Sequence, residues 1–335
     1  MRVSAQTGST RPDLDGERVE MAEETPTMRN ESLSRGAQRG GEKSRPTARR
    51  DRDFLREYPS GESYGSIEQT SYPGATDVAY RARRATIVDA SMSAWPLLPR
   101  YQYLPEEQAT WRHICRKLIP LQDAYACEAF LEGRSALNLP LDEIPQLDDV
   151  SALLEAKTGV MLAPVGGLLE AGDFLSALAD RVMRCTAYMR HHEHPEFTPE
   201  PDIIHELWGH APMFMNSDFV SFSKKIGDAA KLAVEQQQGE LLRRLQLLYW
   251  YTIEYGLIEE RGQLKIFGAG NSAGLQDLHR SLSPSVKKRP LSAEIYQLTV
   301  DYDQPQEVFY VAESFSQIEE MVSALLQESA SLEPR

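Results

Sequence analysis

Cysteine is scarce in this chain. Three thiols, Cys115, Cys127 and Cys185, occur in 335 residues with no CxxC pair, which argues against a thiolate zinc site or a disulfide framework and fits reduced bystander thiols. Long apolar runs are also missing. No stretch of eighteen apolar residues occurs, and no apolar segment follows the charged N-terminus. Neither a membrane span nor a secretory leader is readable, and the cytoplasm is the expected compartment. Positive charge is in deficit, with 36 Lys and Arg against 50 Asp and Glu. That balance disfavours a nucleic-acid surface, which needs concentrated basic charge, and points to a small-molecule partner.

Periodic apolar positions are nearly absent from the N-terminal quarter, which is rich in Arg, Glu, Ser, Thr and Gly. Such a segment buries too little surface to offset its ordering entropy, so residues 1–85 are expected to form a charged, disordered arm. Its basic cluster, Arg45, Arg49, Arg50 and Arg52, reads as a solvated charge run.

Around Trp95 the composition turns apolar and aromatic, and a folded catalytic domain is expected over 95–328. Helical spacing recurs over Glu106–Leu118, Leu121–Leu131, Val150–Thr158, Asp173–His191, Pro199–Gly209, Phe219–Ala233, Leu241–Tyr255 and Phe315–Gln327. Strand-like runs are short: Val160–Pro164, Gln263–Phe267 and Glu307–Val311. The mixture predicts a mainly α domain with small β elements, an α+β fold without internal repeats.

The most informative segment runs from Thr198 to His210, TPEPDIIHELWGH. Thr198 suits an N-cap and Pro199 a first helical position, with Glu200 and Asp202 near the positive end of the helix dipole. Gly209 suits a stop. His205 and His210 are five apart, which on a regular α-helix leaves them about 140° from a shared face. Both reach one ion only if the helix ends or bends near Gly209. The zinc-protease signature has its histidines four apart, and here that position is Gly209, so that reading loses a ligand. Glu254 lies in an apolar, aromatic helical run, where a lone carboxylate needs a cation, a hydrogen-bond network or a metal. Taken singly, His205 reads as a core histidine and Glu254 as the partner of an arginine. Together, two imidazoles and a carboxylate make the facial triad of non-haem iron(II) oxygenases, and another zinc hydrolase with the same donors stays open.

Six segments in order, PVGGLL (164–169), YMRH (188–191), PEPDIIHELWGH (199–210), YWYTIEYG (249–256), FGAG (267–270) and VAESF (311–315), resemble the pterin-dependent aromatic amino acid hydroxylases. The likeness covers about Trp95 to Gln327. It implies the fold of that catalytic domain, Fe(II) as metal, tetrahydrobiopterin or a related tetrahydropterin as two-electron donor, and an aromatic amino acid and O2 as substrates. His205, His210 and Glu254 match the iron ligands. Gly167, Leu168, Leu169, Phe174, Glu206 and Tyr249 match positions around the pterin. Arg190 matches the arginine that holds the amino acid carboxylate, and Thr198, Pro201, Trp250 and Tyr255 match the rest of the substrate pocket.

Departures from the animal enzymes also stand out. Ala273 and Gly274 replace a serine pair whose first member supports an iron-ligating histidine, and Ser272 is a candidate substitute. Glu170-Ala171, Gln246 and Phe197 differ near the pterin and the site. Trp250 stands where tryptophan hydroxylases carry Phe, which favours phenylalanine or tyrosine. The expected activity is L-phenylalanine hydroxylation, with tyrosine or tryptophan hydroxylation and meta attack on phenylalanine as alternatives. A zinc-dependent hydrolase and a non-catalytic aromatic amino acid binding protein are the readings from other classes. Without the tetramerisation helix of the animal enzymes, a monomer or weak dimer is expected.

Overall fold

The folded chain begins earlier than its composition predicts. The structure, a computed structural model, describes Arg52 and residues 72–300 and 306–332. Helix α1 spans Val78–Ala94, with Asp77 as N-cap accepting from the backbone N–H groups of Ala79 and Tyr80. Residues 72–85, expected in the arm, therefore belong to the described folded part. Helix α1 escapes a reading by periodicity because only Ile87 and Ser91 are buried along it, too few for an apolar stripe. Arg52 is not part of a solvated run. It is half-buried, and its guanidinium donates to the carbonyls of Pro96 and Leu162. The other three basic residues and the remaining arm lie outside the described residues.

Helix α2 (Pro105–Tyr125) opens with proline at N1, and the Glu107 carboxylate accepts from the Leu104 N–H. Its buried face carries Trp111, Ile114, Cys115, Leu118 and Gln122. The expected helix over Leu121–Leu131 is broken at Ala126–Cys127, where the Cys127 N–H donates to the Ile266 carbonyl. Helix α3 (Glu128–Leu137) then starts anew, followed by α4 (Leu147–Thr158), which ends at Gly159 in the left-handed region, φ 76°.

Strand β1 (Met161–Pro164) leads into α5 (Ala171–Ala177). The single helix expected over Asp173–His191 stops there. Arg181 adopts φ 55°, and Val182–Cys185 forms β2, parallel to β1 with Met161 opposite Val182. A strand partner outweighs helical spacing in this short apolar run.

Beyond a widened turn at 205–210 lie α6 (Ala211–Phe214) and α7 (Ser217–Glu235), the latter capped by the Asn216 side chain. Helix α7 buries Phe219, Phe222, Ile226, Ala229, Ala230 and Ala233 at helical spacing. Helix α8 (Gly239–Tyr249) runs into a second widened turn. Strands β3 (Leu257–Glu260) and β4 (Gln263–Ile266) form a hairpin, and α9 (Ala269–Ala273) and α10 (Leu275–Leu282) follow. Strands β5 (Lys287–Pro290) and β6 (Val308–Ala312) complete a mixed sheet of order β4-β3-β6-β5, and α11 (Phe315–Leu332) closes the chain path. The architecture is the predicted one, helices around small sheets. No helix among the described residues is long and apolar enough to cross a membrane.

Candidate metal centre and its surroundings

The helix expected from Pro199 starts instead at Ile203. Pro201 disfavours the α region for Glu200, and Asp202 is the functional cap, its carboxylate accepting from the His205 N–H at 3.2 Å. Thr198 does not cap the helix. Its hydroxyl donates to the Glu200 carbonyl.

His205–His210 is a π-helical turn, and so is Trp250–Glu254. In an i→i+5 turn, residues five apart stack on one side. An end or a bend is expected near Gly209; the helix instead widens there and continues into α6. The His205 and His210 Nε2 atoms are 3.1 Å apart, and Glu254 lies 3.5 Å from the first and 3.0 Å from the second. Two donors at right angles on one ion, each about 2.1 Å from it, stand about 3.0 Å apart. The trio therefore fits one face of a metal's coordination shell.

Glycines allow this convergence. A Cβ on Gly209 would stand 2.8 Å from the Ala269 carbonyl oxygen, and one on Gly268 would stand 2.4 Å from the Glu254 carbonyl oxygen. Helix α9 therefore nests against both widened turns. Gln122, fully buried on α2, donates to the carbonyls of Trp208 and Ser272 at 3.1 and 2.9 Å. It ties the histidine turn to α9, a role that nothing in its local sequence signals. Ser272, the candidate substitute serine, donates its hydroxyl to the Gly268 carbonyl.

Burial works against charge on these side chains, and their mutual proximity reverses it. Glu254 pushes His205 up to about 9 despite its burial. His210 and His205 together hold Glu254 well below the usual carboxylate range, although burial alone would raise it.

Around the trio, the Tyr249 hydroxyl donates to Glu254 at 3.1 Å, and the Tyr249 ring meets Phe174 edge-on at 5.1 Å. Glu206 is buried and accepts from both the N–H and the hydroxyl of Thr186 at 3.0 Å. Burial raises its pKa. Gly167, Leu168 and Leu169 follow β1 in an irregular segment, with Leu168 exposed. Phe174, Tyr249 and Glu206 thus offer aromatic surface and a carboxylate beside the metal position, a donor set suited to a flat nitrogen heterocycle.

Arg190 is buried, which excludes a surface role. It makes a two-point ion pair with Asp202, at 2.9 Å from Nε and 2.7 Å from Nη2, and donates from Nη1 to the Pro195 carbonyl. Among the described residues this occupies three of the five guanidinium hydrogens and leaves two for an incoming carboxylate. In the sequence Asp202 reads only as a helix-start acid. Its fully buried position and spacing from Arg190 emerge only from the fold. The Trp250 and Tyr255 rings meet at a 49° tilt with centroids 4.7 Å apart, while Thr198 and Pro201 lie on the segment leading to His205. The three cysteines are buried and free, with Cys115 and Cys127 pushed up to about 12 by burial.

Two widened helical turns present two imidazoles and a carboxylate to one point, a donor set that could hold a single metal ion in the facial-triad manner. Comparison with known proteins specifies it further. Residues 50–330 match the family model of the biopterin-dependent aromatic amino acid hydroxylases. Human phenylalanine-4-hydroxylase is 40% identical over 272 residues, covering 78% of this chain and 58% of the human protein. Dog tyrosine 3-monooxygenase is 39% identical over 252 residues, covering 73% of this chain and 50% of that protein. Phenylalanine hydroxylase from Chromobacterium violaceum, solved with iron(III) and 7,8-dihydrobiopterin, superposes with a TM-score of 0.66 at 27% identity. That match covers 77% of this chain and 94% of the solved one. The chain belongs to the biopterin-dependent aromatic amino acid hydroxylase family. It spans 58% or less of the length of these two animal relatives.

Proposed function

We propose that this protein is an aromatic amino acid monooxygenase that hydroxylates L-phenylalanine, using a tetrahydropterin and O2 at iron held by His205, His210 and Glu254. The observation that carries this reading is the facial trio standing beside the Phe174–Tyr249 aromatic pair, with Arg190 available for a carboxylate. When bound, iron activates oxygen and the pterin supplies two electrons; one oxygen atom enters a ring C–H bond and the other is reduced.

The chain's own residues bind, orient and exclude water. Phe174 and Tyr249 would supply the aromatic surface for a bound pterin, Glu206 a carboxylate for its polar groups, and Gly167, Leu168 and Leu169 their backbone. Arg190 takes the substrate carboxylate through its two spare N–H groups, with Asp202 fixing the plane of the guanidinium. Thr198 and Pro201 shape the entrance, and Trp250 with Tyr255 forms the wall against which the substrate ring lies. Holding both reactants over one face of the metal supplies the proximity that a three-component reaction needs.

The direct test is aerobic turnover by anaerobically iron-loaded protein with tetrahydrobiopterin and equimolar phenylalanine, tyrosine and tryptophan, with products resolved by chromatography and mass. Tyrosine formed from phenylalanine is the expected outcome. A meta-hydroxylated product, or hydroxylation of tyrosine or tryptophan alone, would replace the substrate or position assigned. Bound iron without any hydroxylation would leave an amino acid binding protein. The zinc-hydrolase reading has no support from the family. In solution we propose a monomer or weak dimer in the cytoplasm, and a tetramer mass by ultracentrifugation would reject the first part.

A further inference from the structure

Trp250, half of the proposed ring wall, has its polar atom engaged from a distant part of the chain. Its indole Nε1 donates to Gln306 Oε1 at 2.9 Å, across 56 residues of sequence. Gln306 is itself held. Its Nε2 donates to the Val308 carbonyl at 2.9 Å, and its backbone carbonyl accepts from Arg280 Nε on α10, also at 2.9 Å. The Tyr251 side chain hydrogen-bonds to the same glutamine, and Tyr251 packs edge-on against Tyr310 of β6 at 5.0 Å.

These contacts fix the amide orientation. An indole N–H can only donate and a backbone carbonyl can only accept, so a flipped amide would set two donors against each other at Trp250 and two acceptors against each other at Val308. Gln306 therefore presents one acceptor, in one place, to one edge of the indole. The consequence falls on Tyr255, whose ring packs against Trp250 at 4.7 Å with a 49° tilt. Rotation of the indole about its side-chain bonds would change that tilt and the width of the slot beside it.

We propose that Gln306 is a positioning residue for substrate selection: by holding the Trp250 N–H it fixes the indole plane, and with it the space offered to the substrate's aromatic ring. The inference rests on Trp250 lining the substrate pocket. The bonds of Gln306 go to Trp250, Tyr251, Val308 and Arg280 and to none of the three metal ligands, so its effect falls on amino acid recognition and on delivery of oxygen to the ring, and leaves metal and pterin binding unchanged.

Gln306→Leu removes the acceptor at similar volume, and Gln306→Glu keeps an acceptor for the indole while losing the donor to the Val308 carbonyl. A hydrogen bond of this kind contributes about 0.5–1.5 kcal/mol, which is about a two- to tenfold change in an equilibrium. The expected result for Gln306→Leu is a rise of that size in the KM for phenylalanine and in its Kd by calorimetry. The yield of hydroxylated product per pterin oxidised should fall. Iron content and pterin KM should stay near those of the parent, and Gln306→Glu, which restores the indole contact alone, should recover part of the phenylalanine affinity. In a Trp250→Phe background, which lacks the N–H, Gln306→Leu should add nothing further.

If Trp250→Phe alters amino acid selection while Gln306→Leu leaves phenylalanine Kd and coupling at parental values, the positioning role is overturned and the pocket assignment stands. If Trp250→Phe itself changes neither, the pocket assignment fails and takes the inference with it. Equal losses from Gln306→Leu in the parent and in the Trp250→Phe background would assign Gln306 a purely structural role, independent of the indole, and would also overturn the proposal.

Discussion

The Arg190 guanidinium and the Asp202 carboxylate lie in a buried two-point ion pair, and the Asp202 oxygen that meets Arg190 Nη2 also receives the His205 N–H. One carboxylate thus joins the proposed substrate clamp to the start of the metal-binding turn. Asp202→Asn should weaken both phenylalanine binding and iron retention, because removing one partner strands the other charge away from water, a loss of about 3–5 kcal/mol in such pairs. Arg190→Lys should weaken phenylalanine binding about tenfold or more while pterin affinity holds, since a single ammonium does not reproduce the guanidinium fork. Separate titrations of the two ligands check this, and equal effects on both would reject the clamp.

Glu254→Gln keeps the shape of the ligand but removes its charge. Iron content after loading and desalting should fall about tenfold or more, with the helical circular dichroism unchanged, because a neutral amide is a far poorer donor to a dication than a carboxylate. Parental iron content would remove Glu254 from the metal centre.

The metal-free protein carries a proton on His205 that iron must displace, because Glu254 holds that imidazole at about 9. Iron binding at pH 7 should therefore release protons, measurable as a buffer-dependent calorimetric enthalpy, and iron affinity should rise with pH up to about 9. For the metal-free protein the sign is opposite. A histidine raised from its ordinary 6.5 contributes stability that is fully present below 6.5 and lost as the pH climbs through about 9, so its thermal midpoint should fall across that window. Loaded protein should lose this fall.

Gly209→Ala should force the histidine turn away from α9, since the new Cβ meets backbone at Ala269. Overpacking of this kind costs about 1–3 kcal/mol, or about 2–4 °C of midpoint per kcal/mol in a domain this large. Iron retention should fall together with the midpoint. Gln122→Leu leaves the Trp208 and Ser272 carbonyls without their donor and should destabilise by a similar amount. Differential scanning calorimetry of both variants, with and without iron, tests whether the two anchors serve the metal site or only the fold.

The metal donors are legible in the sequence from residue types and spacing, and the helices α4, α7 and α11 from their apolar stripes. What periodicity does not supply is the widening of two helices. An i→i+5 turn has no composition of its own, and His205 and His210 look out of register until the backbone is seen. Helix α1 and strand β2 are hidden for different reasons: the first buries only one flank, and the second acquires its conformation from β1. Asp202 and Gln306 are illegible as partners because their roles depend on contacts made across 12 and 56 residues.

The widened turn also makes the residue count of the chain part of its chemistry. A π turn holds one residue more than the α-helix it interrupts, so the interval from His205 to His210 is an ordinary four-residue spacing plus one. Deleting a single residue there, Leu207 for instance, would let the helix relax to its regular pitch with the histidines again on one face. The turn as it stands sets Gly209 against Ala269, so the shortened helix would keep its pair of imidazoles but shift this contact and their alignment with Glu254.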